Sequence, residues 1–108
     1  MKATLIYADV EEIVNEGLSA FVGEIYLDRP DLYHKVETHD FPNNNLNEIA
    51  EQLFMDYNVD SGLQCKAGIR SMSVGDVVLF DNGAVFVCSP VGFKQVPYAE
   101  KFAVYFKD

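Results

Sequence analysis

A chain of 108 residues with 49% apolar side chains, eight Phe and six Tyr has the length and composition of a single domain with its own core, which excludes a disordered segment. No apolar run approaches the ~20 residues that a membrane span requires. The opening "MKATLIYADVEE" turns acidic too soon for a signal peptide, so a cytoplasmic protein is expected. The net charge of −9 is unevenly placed. Residues 1–64 carry three basic residues against thirteen acidic ones, a net of −10, and residues 65–108 carry five against four. Such a distribution speaks against an extended phosphate-binding surface, because affinity for DNA and RNA comes mainly from Lys and Arg.

In chain order, Thr4–Ala8 (TLIYA) is apolar and partly β-branched and predicts a strand. Asp9 and Glu12 have capping-box spacing, Val10, Ile13 and Val14 share a helical face, and Gly17 is placed to end a short helix. Phe21–Leu27 reads as a strand or as a continuation of that helix. Asp28-Arg29-Pro30-Asp31 is a turn signal, and Leu32–Thr38 alternates like a strand with one wet face. Asn45 followed three residues later by Glu48 opens the best helix, 46–57. Its apolar stripe is Leu46, Ile49, Ala50, Leu53, Phe54 and Tyr57, with Glu48, Glu51, Gln52 and Asp56 on the outer side. Residues 58–69 are polar and Gly-containing, a loop.

Val77–Phe80 and Ala84–Cys88 are two apolar strands joined by Asp81-Asn82-Gly83. Asn82 and Gly83 supply the positive φ that a tight hairpin turn requires. Strands apolar at nearly every position imply a sheet covered on both faces, by this chain or by a helix on one side and a partner on the other. Ser71, Ser73 and Asp76 precede the hairpin and are suited to bonding nearby amides in an opening turn that Gly75 relaxes. A local hydrogen bond of this kind contributes roughly 1 kcal/mol. Phe102–Phe106 reads as a final strand. The fold class is therefore α+β, an antiparallel-rich sheet with the 77–88 hairpin and one main helix packed on it.

The chemistry-bearing residues are sparse. A Ser nucleophile needs a base held by a third group, yet the two histidines, His34 and His39, stand in another segment and no G-x-S-x-G elbow is present. His34, His39 and Asp40 are the one cluster with metal-ligand residue types. Strand alternation would put positions 34 and 39 on opposite faces, so no metal is expected. Cys65 and Cys88 lack CxxC spacing and read as reduced, packed thiols. No cofactor motif occurs, and an enzyme is not expected.

The pattern "RSMSVGDVV" at 70–78 and "FVCSPVGFKQV" at 86–96, with "LYHKV" at 32–36 and the helix at 46–57, resembles the YodL-like domains over Leu32–Val96. Ser89-Pro90-Val91 before Gly92-Phe93 departs from the Asp-Ser pair more usual there. The resemblance implies a small α+β fold and a phage, plasmid or conjugative-element setting, and it carries no activity with it.

Two roles follow as expectations. The first is a non-enzymatic protein-interaction module, an inhibitor of a host-defence or nucleic-acid-processing protein. Its acidic face would present Glu11, Glu12 and Glu16 from the first helix with Glu48, Glu51 and Asp56 from the second to a basic partner. The second is nucleic-acid binding through Lys66, Arg70, Lys94, Lys101 and Lys107 with Phe93, Tyr98 and Tyr105 for stacking. A homodimer stays open as a further arrangement.

Overall fold

The computed structural model describes residues 1–20, 26, 29–58 and 70–97. Among them, five strands form one antiparallel sheet in the order β2-β1-β3-β4-β5. The strands are β1 (Lys2–Ala8), β2 (Tyr33–Asp40), β3 (Val77–Phe80), β4 (Val85–Ser89) and β5 (Gly92–Val96). Helix α1 (Val10–Asn15) and a 3-10 turn (Pro30–Leu32) lie between β1 and β2, and α2 (Leu46–Asp56) follows β2. The architecture is α+β, as the sequence predicts, with the 77–88 hairpin inside the sheet.

The local signals act as their chemistry requires. Asp9 accepts the Glu12 N–H through Oδ1 at 3.3 Å, and Asn45 accepts the Glu48 N–H at 3.2 Å, so each helix opens on a side-chain cap. Gly17, at φ 76°, ends α1 with paired bonds from its own N–H to Val14 O and from Leu18 N–H to Ile13 O, the Schellman arrangement. The hairpin loop holds three residues. Phe80 O accepts the Gly83 N–H, the Phe80 N–H reaches Ala84 O, and Gly83 takes the positive φ of 94°.

Two apolar layers sandwich the sheet. Alternate residues Ala3, Leu5 and Tyr7 of β1, with Val78, Phe80, Phe86 and Cys88, pack under Ile49, Ala50, Leu53 and Tyr57 of α2. The intervening residues Ile6 and Ala8, with Val77, Leu79, Val85 and Val87, pack with Ile13 of α1, Leu32 and Tyr33. The sheet is thus buried on both faces within this chain, the first of the two arrangements its apolar strands allow. α1 and α2 consequently lie on opposite sides of it.

Several expectations need correction. Only Ile13 of the α1 face is buried, and Val14 is 57% exposed, because a helix of six residues presents little more than one turn to the sheet. Phe54, expected in the α2 stripe, is 37% exposed at its margin. β5 arises where no strand was expected. Ser89 pairs with Gly92 across Pro90-Val91, the Ser89 hydroxyl donates to Gly92 O at 2.6 Å, and Gly92 adopts φ 120°. The expected strand at 102–106, all of 21–27 except Tyr26, and nearly all of the 58–69 loop lie outside the described residues.

β2 is not evenly alternating. Leu5 pairs with Glu37 and Ile6 with Lys35, so Val36 is an extra residue, a β-bulge. His39 faces Ala3 and His34 faces Tyr7, and both β1 residues belong to the α2 side. The expectation that the two histidines face opposite sides is therefore overturned by the bulge. Their partners are four residues apart along β1, roughly 13 Å at a strand's rise, too far for one ion to be shared.

Leu53 is 1% exposed in the centre of the α2 layer. Leu53→Ala is expected to destabilise the fold by about 2–5 kcal/mol in urea unfolding; a change under about half a kcal/mol would show that α2 is not packed through this residue.

Candidate functional site

The segment before β3 forms the most densely bonded polar cluster described. Ser73–Asp76 is a β-turn closed by the Asp76 N–H to Ser73 O bond at 3.0 Å, with Gly75 at φ 97° as the third residue of a type II turn demands. The fully buried Asp76 carboxylate accepts four bonds. Oδ2 takes the Ser73 N–H and Arg70 Nη1, both at 2.7 Å. Oδ1 takes the Ala8 N–H at 2.9 Å and Arg70 Nη2 at 2.8 Å. Arg70 also donates to Ser71 O and Ala8 O, and its guanidinium carbon sits 4.3 Å from the centroid of the Tyr7 ring. Burial works against the Arg70 charge, but the Asp76 hydrogen bonds and charge outweigh it and hold the guanidinium above its ordinary pKa.

Asp76 thus does what its position before the strand predicts, and more. It fixes the turn through Ser73, and it also clamps the end of β1 to the start of β3. Ser73 itself bonds a carbonyl rather than an amide, its hydroxyl donating to Ser71 O at 3.3 Å. Arg70 is the functional partner that the reading of the turn missed. An Asp opening a doubly buried strand needs a cation, and the nearest in sequence is Arg70, six residues upstream.

A second cluster joins α2 to β2. Tyr57 donates to Glu37 Oε2 at 2.7 Å, and His39 Nε2 lies 2.8 Å from the Tyr57 hydroxyl and 3.1 Å from Glu37 Oε2. Tyr57 spends its single proton on Glu37, so Nε2 must carry a proton to complete the contact. Burial first, then the Glu37 bond, pushes the Tyr57 phenol up, which keeps it neutral and unsuited to act as a base. The cluster latches the C-terminal end of α2 to the edge strand. On the same face, burial and then the charge of Asp76 push the Cys88 thiol up to about 11, so it is no thiolate nucleophile near neutral pH. The buried Tyr7 hydroxyl is raised in the same sense, chiefly by burial and then by Asp76.

The structure does not unite the six carboxylates expected to form one acidic face. Glu11, Glu12 and Glu16 belong to the α1 side, and Glu48, Glu51 and Asp56 to the α2 side. Glu16 is in addition engaged by Arg29, which also holds Asp31. Basic side chains separate likewise. Lys35 pairs with Ile6 and Lys94 with Val87, both on the α1 side, and Lys2 alternates with Ala3 onto that side too. Among the described residues, the one Lys or Arg side chain on the α2 side is Arg70, already bound to Asp76. Glu48 and Glu51 are exposed there, while Asp56 is half-buried and accepts a bond from Gln52 at 2.9 Å.

The described members of the nucleic-acid set are dispersed. Arg70 is committed to Asp76, Phe93 packs edge-on against Phe54, and Lys94 faces away from Phe93. Lys66, Tyr98, Lys101, Tyr105 and Lys107 lie outside the described residues. Among the described residues, no group of three His, Cys, Asp or Glu is placed to hold a metal, and no helix is long and apolar enough to cross a membrane.

No protein family, curated protein or solved structure matches the chain.

Two measurements test this geometry. Asp76→Ala strands a half-buried guanidinium and two amides, so the expected loss is about 3–5 kcal/mol rather than the roughly 1 kcal/mol of a local turn bond. A loss near 1 kcal/mol would show that the clamp to β1 contributes little. Stability should also fall in alkali. The Cys88 thiol rises from 9.0 to about 11 and the Tyr7 and Tyr57 phenols rise above their usual range. The unfolded chain therefore releases these protons first, and stability is full below pH ~9 and declines above it. Melting temperatures flat to pH 11 would contradict this assignment.

Proposed function

We propose that this protein is a small non-enzymatic interaction module that docks on a basic surface of a protein partner through the outer side of α2. One observation carries the reading: the α2 side exposes Glu48 and Glu51 beside Phe54 and Met55, and the one described Lys or Arg of that side is already bound to Asp76. A field of one sign with apolar side chains inside it suits a partner that brings both positive charge and apolar contact. The α1 carboxylates contribute to the overall charge but stand across the sheet, out of reach of a flat partner that contacts α2. The resemblance of "RSMSVGDVV" to YodL-like domains favours a phage or plasmid setting, and with it a host-defence or nucleic-acid-processing protein as target.

The test is partner capture from bacterial cells with three baits: the parent, a variant with Glu48→Lys, Glu51→Lys and Asp56→Lys, and a variant with Glu11→Lys and Glu12→Lys. The α2 variant is expected to lose the partner that the parent and the α1 variant both retain. Association should slow as salt rises, since the Debye length is about 8 Å at physiological ionic strength. Equal capture by the folded α2 variant would rule out this face.

A further inference from the structure

Among the described residues, four large apolar side chains are exposed: Val14, Phe54, Met55 and Val91. Three of the four gather where α2 meets the β4–β5 turn. Between these elements runs a groove of about 360 Å³, walled by Phe54 and Met55 of α2 and by Pro90, Gly92 and Phe93 of the turn, with Glu51 at its rim. Met55 is 59% exposed, and Val91, between Pro90 and Gly92, is 97% exposed. A second depression of about 470 Å³ lies on the far side of Met55, and Glu51 and Met55 belong to both, with Glu48 added to the second. Each volume falls within the range of sites that accept ligands.

We infer that this groove is the anchor site for a basic amphipathic segment of the partner, with a large apolar side chain inserted between Met55 and Phe93 and flanking Lys or Arg side chains on Glu51 and Glu48. The inference rests on the α2 reading above and specifies its chemistry. The groove is built before anything binds. Phe54 and Phe93 meet edge to face with centroids 6.3 Å apart, and the Ser89 hydroxyl pins the turn to Gly92 O. A preformed wall lowers the ordering cost of binding. Met55 adds an adaptable, polarizable surface that moulds to different apolar side chains.

Charge selects the occupant. Among the described residues, the groove and its neighbour are lined by Glu48 and Glu51 and by no Lys or Arg. A nucleic acid would bring phosphates against these carboxylates. A second copy of this chain, docked through the same patch about a two-fold axis, would bring the carboxylates of both copies together. A segment carrying cations around an apolar anchor satisfies both parts of the surface.

The test uses the full chain, titrated by calorimetry and by amide chemical shifts with three 14-residue peptides. The first is an amphipathic Lys/Leu peptide, the second has Glu for every Lys, and the third has Ser for every Leu. The Lys/Leu peptide is expected to bind and to shift the amides of Glu51, Met55, Gly92 and Phe93, with the other two at least about tenfold weaker. Met55→Gln and Glu51→Lys, both at exposed positions, should each weaken it about tenfold, while Glu11→Lys should not. Equal binding of the Lys/Ser peptide would overturn the groove and leave the acidic face standing. Equal binding of the Glu/Leu peptide, or shifts centred elsewhere, would also overturn the groove. If the variant with Glu48, Glu51 and Asp56 reversed binds the Lys/Leu peptide as the parent does, the groove and the α2 reading fall together. A dimer in sedimentation that Met55→Gln dissociates would assign the groove to a second copy instead.

Discussion

The bidentate pair of Asp76 with Arg70 is the contact on which the arrangement of the sheet depends. β1 stands between β2 and β3, so the covalently distant ends of β1 and β3 must meet in register. Asp76 supplies that meeting in one side chain, bonding the last amide of β1, the turn before β3 and the guanidinium that spans both. A buried carboxylate is costly without compensation, and four bonds including two charged ones are what make it tolerable. Removing one member therefore harms more than replacing the pair together with apolar residues would. The main-chain bonds of Asp76 and Gly75 to Cys88 carry the same constraint into β4.

Because β1 is an interior strand, its two faces feed two different layers, and the helices that follow β1 and β2 end on opposite sides. This partition also sorts charge. The lysines of the edge strands project with α1, and α2 is left with carboxylates and a margin of exposed apolar side chains. Among the described residues, the side on which each lysine lies is thus set by strand register more than by composition.

Local signals were legible in the sequence. Asp9 and Asn45 cap as their spacing says, Gly17 and Gly83 take positive φ, and Ile49, Leu53 and Tyr57 bury on one stripe. What escaped was non-local or broke a period. Arg70 reads as one of several C-terminal cations until the fold places it over Tyr7. β5, "GFKQV", has too few apolar residues to show itself, because as the outermost strand of the described sheet it needs little burial. Val36 looks like one more alternating residue, and a bulge has no signature in "LYHKVET". The two acidic helices share a charge pattern, and nothing in that pattern tells which side of a sheet each will occupy. The residues of the candidate groove come from α2 and from a turn some forty residues later, so that their adjacency exists only once β4 and β5 are paired.

The Val36 bulge has a bearing on how the chain tolerates length change. It is the one extra residue that brings Glu37 and His39 around to Tyr57 while His34 still meets Tyr7. Loss of that single residue would restore even alternation and keep both registers, His34 on Tyr7 and Glu37 and His39 toward Tyr57, because the pairs on either side of the bulge are offset by one residue. Substitutions along β2 are read one side chain at a time, whereas a one-codon deletion at the bulge would be absorbed by its disappearance, with the end of α2 still held to the sheet edge.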